Sequence, residues 1–242
     1  MTPRNFKAGI LAAGHGERLR DTGALKPLVP IAGRPLIWHV LNGFAEAGVA
    51  EVTVMVNDAS VAVREQISKH DWSFALRWVV QTTPSSMHSF LHLVKALTNN
   101  GERGPFVIST VDTVLQRGQL SAFVEAASEC TNAAVVLGVN QPAEDDRPLW
   151  VEKDEGGHVV ALGEAAAGRT NLATAGIYVV DPVVLREEEA AKAAGLMSLR
   201  GFLGRLLASN YVISAISTGN SVDVDRAADI IAAEKLLSQN RT

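Results

Sequence analysis

Gly14, Gly16, Arg18 and Lys26 stand close together in the segment Leu11-Ala12-Ala13-Gly14-His15-Gly16-Glu17-Arg18-Leu19-Arg20-Asp21-Thr22-Gly23-Ala24-Leu25-Lys26-Pro27-Leu28. That combination suits an anion. Glycines let backbone N–H groups approach phosphate oxygens closely, and the two cations supply charge that water otherwise provides. The segment reads as a phosphate-binding loop. It follows Ala8-Gly9-Ile10-Leu11-Ala12-Ala13, a short apolar run stopped by glycine, as a buried β-strand is. A second such run, Phe106-Val107-Ile108-Ser109-Thr110, leads into Val111-Asp112-Thr113. Open parallel sheets bind ligands at the carboxyl ends of their strands. An aspartate placed there suits Mg²⁺, which takes one or two carboxylates together with phosphate oxygens. Taken alone, an aspartate after a strand is more often a helix cap or turn residue. The phosphate loop on the first strand reverses that preference for Asp112.

Other readings of the glycine turn fit less well. A dinucleotide-binding fingerprint needs a third glycine at position 19 and an acidic residue ending the second strand. Position 19 is Leu, and the second strand, Glu51 to Val56, ends in Asn57-Asp58, which meets the second condition only loosely. A Walker-type loop needs Gly-Lys-Ser/Thr, which is absent. His88 and His92 have a spacing that can bind Zn²⁺, but neither a Glu at the right place nor a third ligand accompanies them. His39 and His70 read as ordinary helix residues.

The elements that must position these groups alternate. Helical spacing runs from Leu36 to Ala47, then the strand 51–56, a helix at 60–69, a strand at 76–80, a helix at 86–97, the strand 106–110 and a helix at 119–127. Strand and helix in alternation predict a parallel sheet covered on both faces. Beyond residue 130 the rhythm changes. Strands are expected at 133–139, 149–153, 158–162, 174–180 and 211–216, and helices at 183–193, 199–209 and 226–237. The expected fold is therefore α/β: a doubly wound, mostly parallel, Rossmann-like sheet with helices on both faces and a small antiparallel extension in the second half. No repeat or linker divides the chain, so one domain over 1–242 is expected, with a nucleotide-binding half (1–130) and an acceptor-binding half (131–242).

Composition sets limits. The chain has 242 residues, 47% of them hydrophobic and 20% charged, with a net charge of −4, enough for a sizeable core and typical of a soluble globular protein. A net negative charge argues against nucleic acid as a main partner. Apolar stretches fall short of the ~18 residues that cross a bilayer, and Met1 to Lys7 lead straight into the first strand, so neither membrane span nor leader is expected. The single cysteine, Cys130, cannot form an internal disulfide and reads as a packing residue in a cytoplasmic protein.

From Ala8 to Leu36 the chain resembles, nearly residue for residue, the signature of the sugar-phosphate nucleotidyltransferases, L-A-A-G-x-G-x-R-L followed by K-P-L-x-P-x-x-G-x-P-L. It is also similar to small cytidylyltransferases and to molybdopterin nucleotidyltransferases. The resemblance implies an Mg²⁺-dependent enzyme that joins an NTP to a sugar 1-phosphate or phospho-alcohol and releases pyrophosphate. Leu11, Ala12, Ala13, Gly14 and Gly16 would wrap the nucleotide, Arg18 would steady the departing β,γ-phosphates, and Lys26 would neutralise charge at the α-phosphate. Asp112 matches the family's metal-binding aspartate. A second carboxylate is implied near the C-terminus, where Asp223-Val224-Asp225 resembles the family's D-[IV]-[DG] segment. Alignment on the preceding strand favours Asp223, whereas short cytidylyltransferases favour Asp225, and one of the two is expected to cap the last helix.

Gln81 matches the family's base-reading glutamine, and its amide suits a base edge. The Gly-Thr-Ala turn that should follow is Ser85-Ser86-Met87, with Ser86 a candidate base contact or helix cap. The acceptor half departs further from the pattern. The family's Glu-Lys-Pro appears as Glu164-Ala165-Ala166, and Asn-x-Gly-Ile-Tyr appears as Thr174-Ala175-Gly176-Ile177-Tyr178. The acceptor phosphate then falls to another cation, with Arg147, Lys153 and Arg169 as candidates. Partners implied are the NTP and the phosphorylated acceptor, with homo-oligomerisation open. A nucleotide-binding regulator that has lost catalysis is the alternative from outside enzymology.

Overall fold

Strands β1 (Lys7–Ala12), β4 (Glu51–Val56) and β6 (Phe106–Thr110) are apolar almost throughout, and nearly every residue in them is buried. A strand covered on both faces must be so, and these three lie side by side at the centre of the sheet. The computed structural model describes residues 7–14, 25–98, 103–142 and 148–239. In chain order the remaining elements are β2 (Pro30–Ile31), β3 (Arg34–Pro35), α1 (Leu36–Glu46), α2 (Val61–Ile67), β5 (Ala75–Val80), α3 (Ser86–Thr98), β7 (Thr113–Leu115) and α4 (Gln119–Ala127). The second half adds β8 (Val135–Asn140), β9 (Val151–Lys153), β10 (Val159–Leu162), β11 (Ala173–Val180), α5 (Glu188–Ala193), α6 (Leu199–Ala208), β12 (Ile213–Ser217), β13 (Ser221–Asp223) and α7 (Ala227–Ser238).

The main sheet has seven strands in the order β12-β8-β11-β6-β1-β4-β5. All pairings are parallel except those of β11, which runs antiparallel to both β6 and β8. The chain moves from β1 outward to β4 and β5, then returns to place β6 on the other side of β1. The crevice beyond the carboxyl ends of β1 and β6 is thus the switch point at which such sheets bind ligands. One face packs against Met87, Phe90, Leu93 and Val94 of α3 and Phe202, Leu203 and Leu206 of α6. The other packs against Ile37, Leu41 and Phe44 of α1, Val63 of α2 and Phe123 of α4. These are the doubly wound sheet and the small antiparallel pair, β9 with β10, that the residue pattern predicts.

Two differences from the sequence expectation have physical causes. The helix expected over 183–193 is a 3₁₀ turn, Pro182–Glu187, followed by the short α5. Asp181 caps that turn by accepting from the Val183 N–H at 2.7 Å, and the adjacent β-branched Val183 and Val184 disfavour a full α turn. The other concerns two pairs of very short strands, β2 with β3 and β7 with β13. Elements this brief show no periodicity in sequence. They matter because Val29, Ile31, Leu36, Val114, Val224 and Ala233 form a third, small buried cluster between them and α7. Burying each such side chain contributes about 1.5–3 kcal/mol. That cluster clamps together the chain segments carrying Lys26, Asp112 and Asp223 to Asp225.

Candidate active site

Lys26 opens a 3₁₀ turn, Lys26–Leu28, with Pro27 buried behind it. The Leu28 N–H donates to the Leu25 carbonyl at 2.7 Å, and the Leu36 N–H to the Val29 carbonyl at 2.8 Å, which fixes the exit of the chain. From this turn the Lys26 side chain, only 10% exposed, reaches two carboxylates far away in sequence. Its Nζ lies 2.6 Å from Asp112 Oδ2 and 2.5 Å from Asp225 Oδ1. Burial alone would favour the neutral amine; Asp112 and Asp225 override it and hold the Lys26 pKa above its ordinary value. Burial likewise opposes charge on Asp112, but the Lys26 ammonium, with hydrogen bonds from Lys26 and Thr110, keeps that carboxyl below the usual range.

Asp223 and Asp225 leave β13 two residues apart. Strand pairing sets Asp223 opposite Thr113, and the Val224 N–H donates to the Asp112 carbonyl at 2.9 Å. The Thr113 hydroxyl donates to Asp223 Oδ1 at 3.0 Å and also sits 3.1 Å from the Ala175 carbonyl. Although Asp223 opens onto the crevice, the protein mass around it and then the Asp112 charge push its carboxyl up to about 7, against the Thr113 hydrogen bond. Neither aspartate caps α7. Asp229 does so, its Oδ2 accepting from the N–H groups of Asp225 at 2.9 Å and Arg226 at 2.7 Å. The expectation that one of the pair is a cap is thereby corrected: that role falls to Asp229, inside the helix.

Burial, followed by the charges of Asp223 and Asp112, raises the Tyr178 phenol pKa, so it stays a neutral hydroxyl. It stands on β11, which bulges just before it, between Thr174 and Tyr178. Gly176, at φ +65°, forms that bulge; a Cβ there would collide with Thr113 Oγ1 and lie 2.5 Å from Thr110 Oγ1. Only glycine lets β11 come this close to the Asp112 turn. Thr113 and Tyr178 were not singled out for the site by sequence reasoning. The signal available was their position beside Asp112 and within the Gly-Ile-Tyr element.

The other expected site residues fall as follows. Leu11 and Ala12 end β1, Ala13 and Gly14 follow, and a Cβ built on Gly14 meets nothing within 4 Å. Gly16, Arg18 and Arg147 lie outside the described residues. Gln81 is exposed just past β5, its N–H donating to the Val56 carbonyl at 2.9 Å. The Ser86 hydroxyl accepts from the Leu199 N–H at 3.0 Å and so ties α3 to α6. Ser85 does the local capping, its Oγ accepting from the His88 N–H at 3.5 Å and lying 2.8 Å from His88 Nδ1. Lys153 is exposed at the end of β9. Arg169 pairs with Glu152 at 2.7 Å and also donates to the Ala165 carbonyl.

The donor set fits a hard divalent cation. Asp112 and Asp223 are close enough for one to suppress ionisation of the other, and a lysine ammonium already bridges Asp112 and Asp225. Among the described residues no three His, Cys, Asp or Glu side chains form a ready-made metal cage. No helix among the described residues is long and apolar enough to cross a membrane.

Charged groups gathered at the switch point of a doubly wound sheet form a ligand site of the α/β class. Residues 8–201 match the model of the MobA-like NTP transferase domain, and the chain belongs to that family. It is 26% identical over 250 residues to the low-salt glycan biosynthesis nucleotidyltransferase Agl11 of Haloferax volcanii, covering 98% of this chain and 67% of that protein. It is 29% identical over 220 residues to the CMP-5'-(3-aminopropyl)phosphonate synthase of Streptomyces rubellomurinus, covering 88% and 33%. The chain thus spans between a third and two thirds of the length of these curated relatives. Among solved structures it is similar to the inositol-1-phosphate CTP transferase from T. maritima, with a TM-score of 0.79, 18% identity and coverage of 98% and 97%. The UDP-glucose pyrophosphorylase complexed with UDP-glucose gives 0.77, 17% identity and coverage of 98% and 100%. At that identity the likeness shows the fold.

Proposed function

We propose that this chain catalyses the Mg²⁺-dependent joining of an NTP to a sugar 1-phosphate or a phospho-alcohol, releasing pyrophosphate. The observation that carries this reading is Lys26 held between Asp112 and Asp225 at the mouth of the β1–β6 crevice. The substrate class is supported by relatives and neighbours whose names specify a glycan nucleotidyltransferase, a CMP-phosphonate synthase, an inositol-1-phosphate CTP transferase and a UDP-glucose pyrophosphorylase.

An acceptor phosphate oxygen attacks the α-phosphorus in line, and the bond to the bridging oxygen breaks as pyrophosphate leaves. No covalent enzyme intermediate is required, so the chain's work is positioning and neutralising charge. Backbone N–H groups of the loop from Ala13 onward wrap the triphosphate, and Arg18 steadies the leaving pyrophosphate. Lys26 leaves its two carboxylates to meet the α-phosphate. Asp112, once Lys26 has left it, and Asp223, whose charge the neighbouring Asp112 opposes, would hold Mg²⁺, with Asp225 serving chiefly as the resting partner of Lys26. When bound, Mg²⁺ supplies positive charge against the phosphate oxygens. Arg147, Lys153 and Arg169 stay the candidates for the acceptor phosphate.

The test is a pyrophosphate-release screen of four NTPs against sugar phosphates and phospho-alcohols. Steady turnover with one pair supports the reading, and silence across the panel overturns it in favour of a nucleotide-binding regulator. The match to a MobA-like model favours one second reading, a molybdopterin acceptor, which the same screen includes. Truncating the correct cation among Arg147, Lys153 and Arg169 to Ala should raise the acceptor KM and leave the NTP KM unchanged.

A further inference from the structure

The residue that follows β4 has a part in this site that motif reading does not assign to it. Asn57 is 7% exposed, and both ends of its side chain are in use. Its Oδ1 accepts from the Ala59 N–H at 3.1 Å and from the Ser60 hydroxyl at 2.8 Å, closing a turn at the end of the strand. Its Nδ2 donates to the Ala13 carbonyl at 3.1 Å, across to the end of β1. Asp58 extends the tie to the third strand end: its N–H donates to Thr82 Oγ1 at 3.3 Å, and the Thr82 hydroxyl donates to its Oδ2 at 2.5 Å.

The bond to Ala13 turns a peptide. The Leu11 carbonyl points to the β6 side, where it accepts from the Val111 N–H at 3.1 Å. Carbonyls two residues apart on a strand point the same way, so a continued β1 would aim the Ala13 carbonyl at β6 as well. Instead Asn57 takes it on the β4 side. The Ala13–Gly14 peptide is planar and trans, so its N–H lies opposite its carbonyl. The Gly14 N–H is therefore directed away from β4, toward the side of the crevice that Asp112 closes. A Cβ built on Gly14 meets nothing within 4 Å, so no described side chain packs against this residue.

We propose that Asn57 is a positioning residue for the nucleotide: by holding the Ala13 carbonyl it presets the first N–H of the glycine loop toward the triphosphate. The inference rests on the phosphate-loop reading above. It also explains why a carboxamide stands here. Only a group with both a donor and an acceptor can close the turn and hold the carbonyl together. Aspartate keeps the turn and loses the clamp.

The test measures binding of inorganic pyrophosphate with Mg²⁺ by calorimetry, together with KM for the NTP and for the acceptor. Asn57→Asp should weaken pyrophosphate binding and raise the NTP KM about tenfold, the effect of roughly one lost hydrogen bond near charge. The acceptor KM should stay within about twofold. Ser60→Ala, which removes a turn partner and leaves the clamp, should change neither. Asn57→Ser, small and neutral, repeats the measurement if the aspartate variant melts early, with the same expected loss. Pyrophosphate binding and NTP KM at the parent level in these Asn57 variants, or an equal rise in both KM values, would overturn the proposal. If the parent binds neither pyrophosphate nor any NTP, the phosphate-loop reading itself has failed, and the positioning role with it.

Discussion

Replacing Lys26 with methionine keeps the length of the side chain and removes its charge, and the structure gives two opposed consequences. At 2.6 and 2.5 Å, each Lys26–carboxylate pair is worth about 6 kcal/mol by Coulomb's law at an effective dielectric of ~20. Most of that is offset by the cost of burying the ammonium, several kcal/mol, and by repulsion between the two carboxylates it holds. Asp112 and Asp225 are 24% and 43% exposed and can rehydrate in the open crevice. The loss should therefore fall below the ~3–5 kcal/mol typical of breaking a fully buried pair, at about 1–2 kcal/mol. For a chain of this size that lowers Tm by roughly 2–8 °C. Turnover should suffer more: loss of one preorganised charge at the transition state costs ~10²–10³ in kcat. Mg²⁺ alone should nevertheless bind the variant more tightly than the parent, because the ammonium that competes for Asp112 is gone. Thermal melts, steady-state kinetics and Mg²⁺ titration calorimetry check the three in turn. Activity of Lys26→Met within a few-fold of the parent, or weaker Mg²⁺ binding, would refute the reasoning.

Three further outcomes are expected. Asp112→Asn should abolish turnover that EDTA removes and Mg²⁺ restores; Asp223→Asn should lower Mg²⁺ affinity more than Asp225→Asn, and the reverse order in calorimetry would exchange their roles. With Asp223 at about 7 in the fold and near 4 unfolded, the folded state holds more protons across that window, so the residue costs stability as pH rises. Metal-free parent should accordingly lose Tm relative to Asp223→Asn between about pH 4 and pH 7, and its Mg²⁺ affinity should fall below about pH 7; parallel melting curves would count against this. Gly176→Ala meets both a positive φ and the Thr110 and Thr113 hydroxyls. It should cost ~2 kcal/mol or more and displace Asp223, seen as a lower Tm with weakened Mg²⁺ binding; a variant with parental Tm and metal affinity would contradict the bulge's assigned role.

What the residues alone determined is what neighbours in sequence decide. The β1 run into Gly14, the β6 run into Asp112 and the apolar spacing of α1, α3 and α4 are local patterns of burial, and the strands and helices lie where those patterns place them. Lys26 could be read as a cation at a phosphate loop because glycines, cation and proline sit within fourteen residues of sequence, Gly14 to Pro27. Its partnership with Asp225, 199 residues away, could not be read, because that bond depends on the register of β13 against β7. The insertion of antiparallel β11 between β6 and β8, the bulge at Gly176 and the turned peptide at Ala13 have the same origin. Each is set by which strands become neighbours, and a residue's own sequence context carries no record of the partner across the sheet. Asp223 shows the difference most plainly: its acidity is ordinary in the chain, and only the fold surrounds it with protein and brings Asp112 near enough to change it.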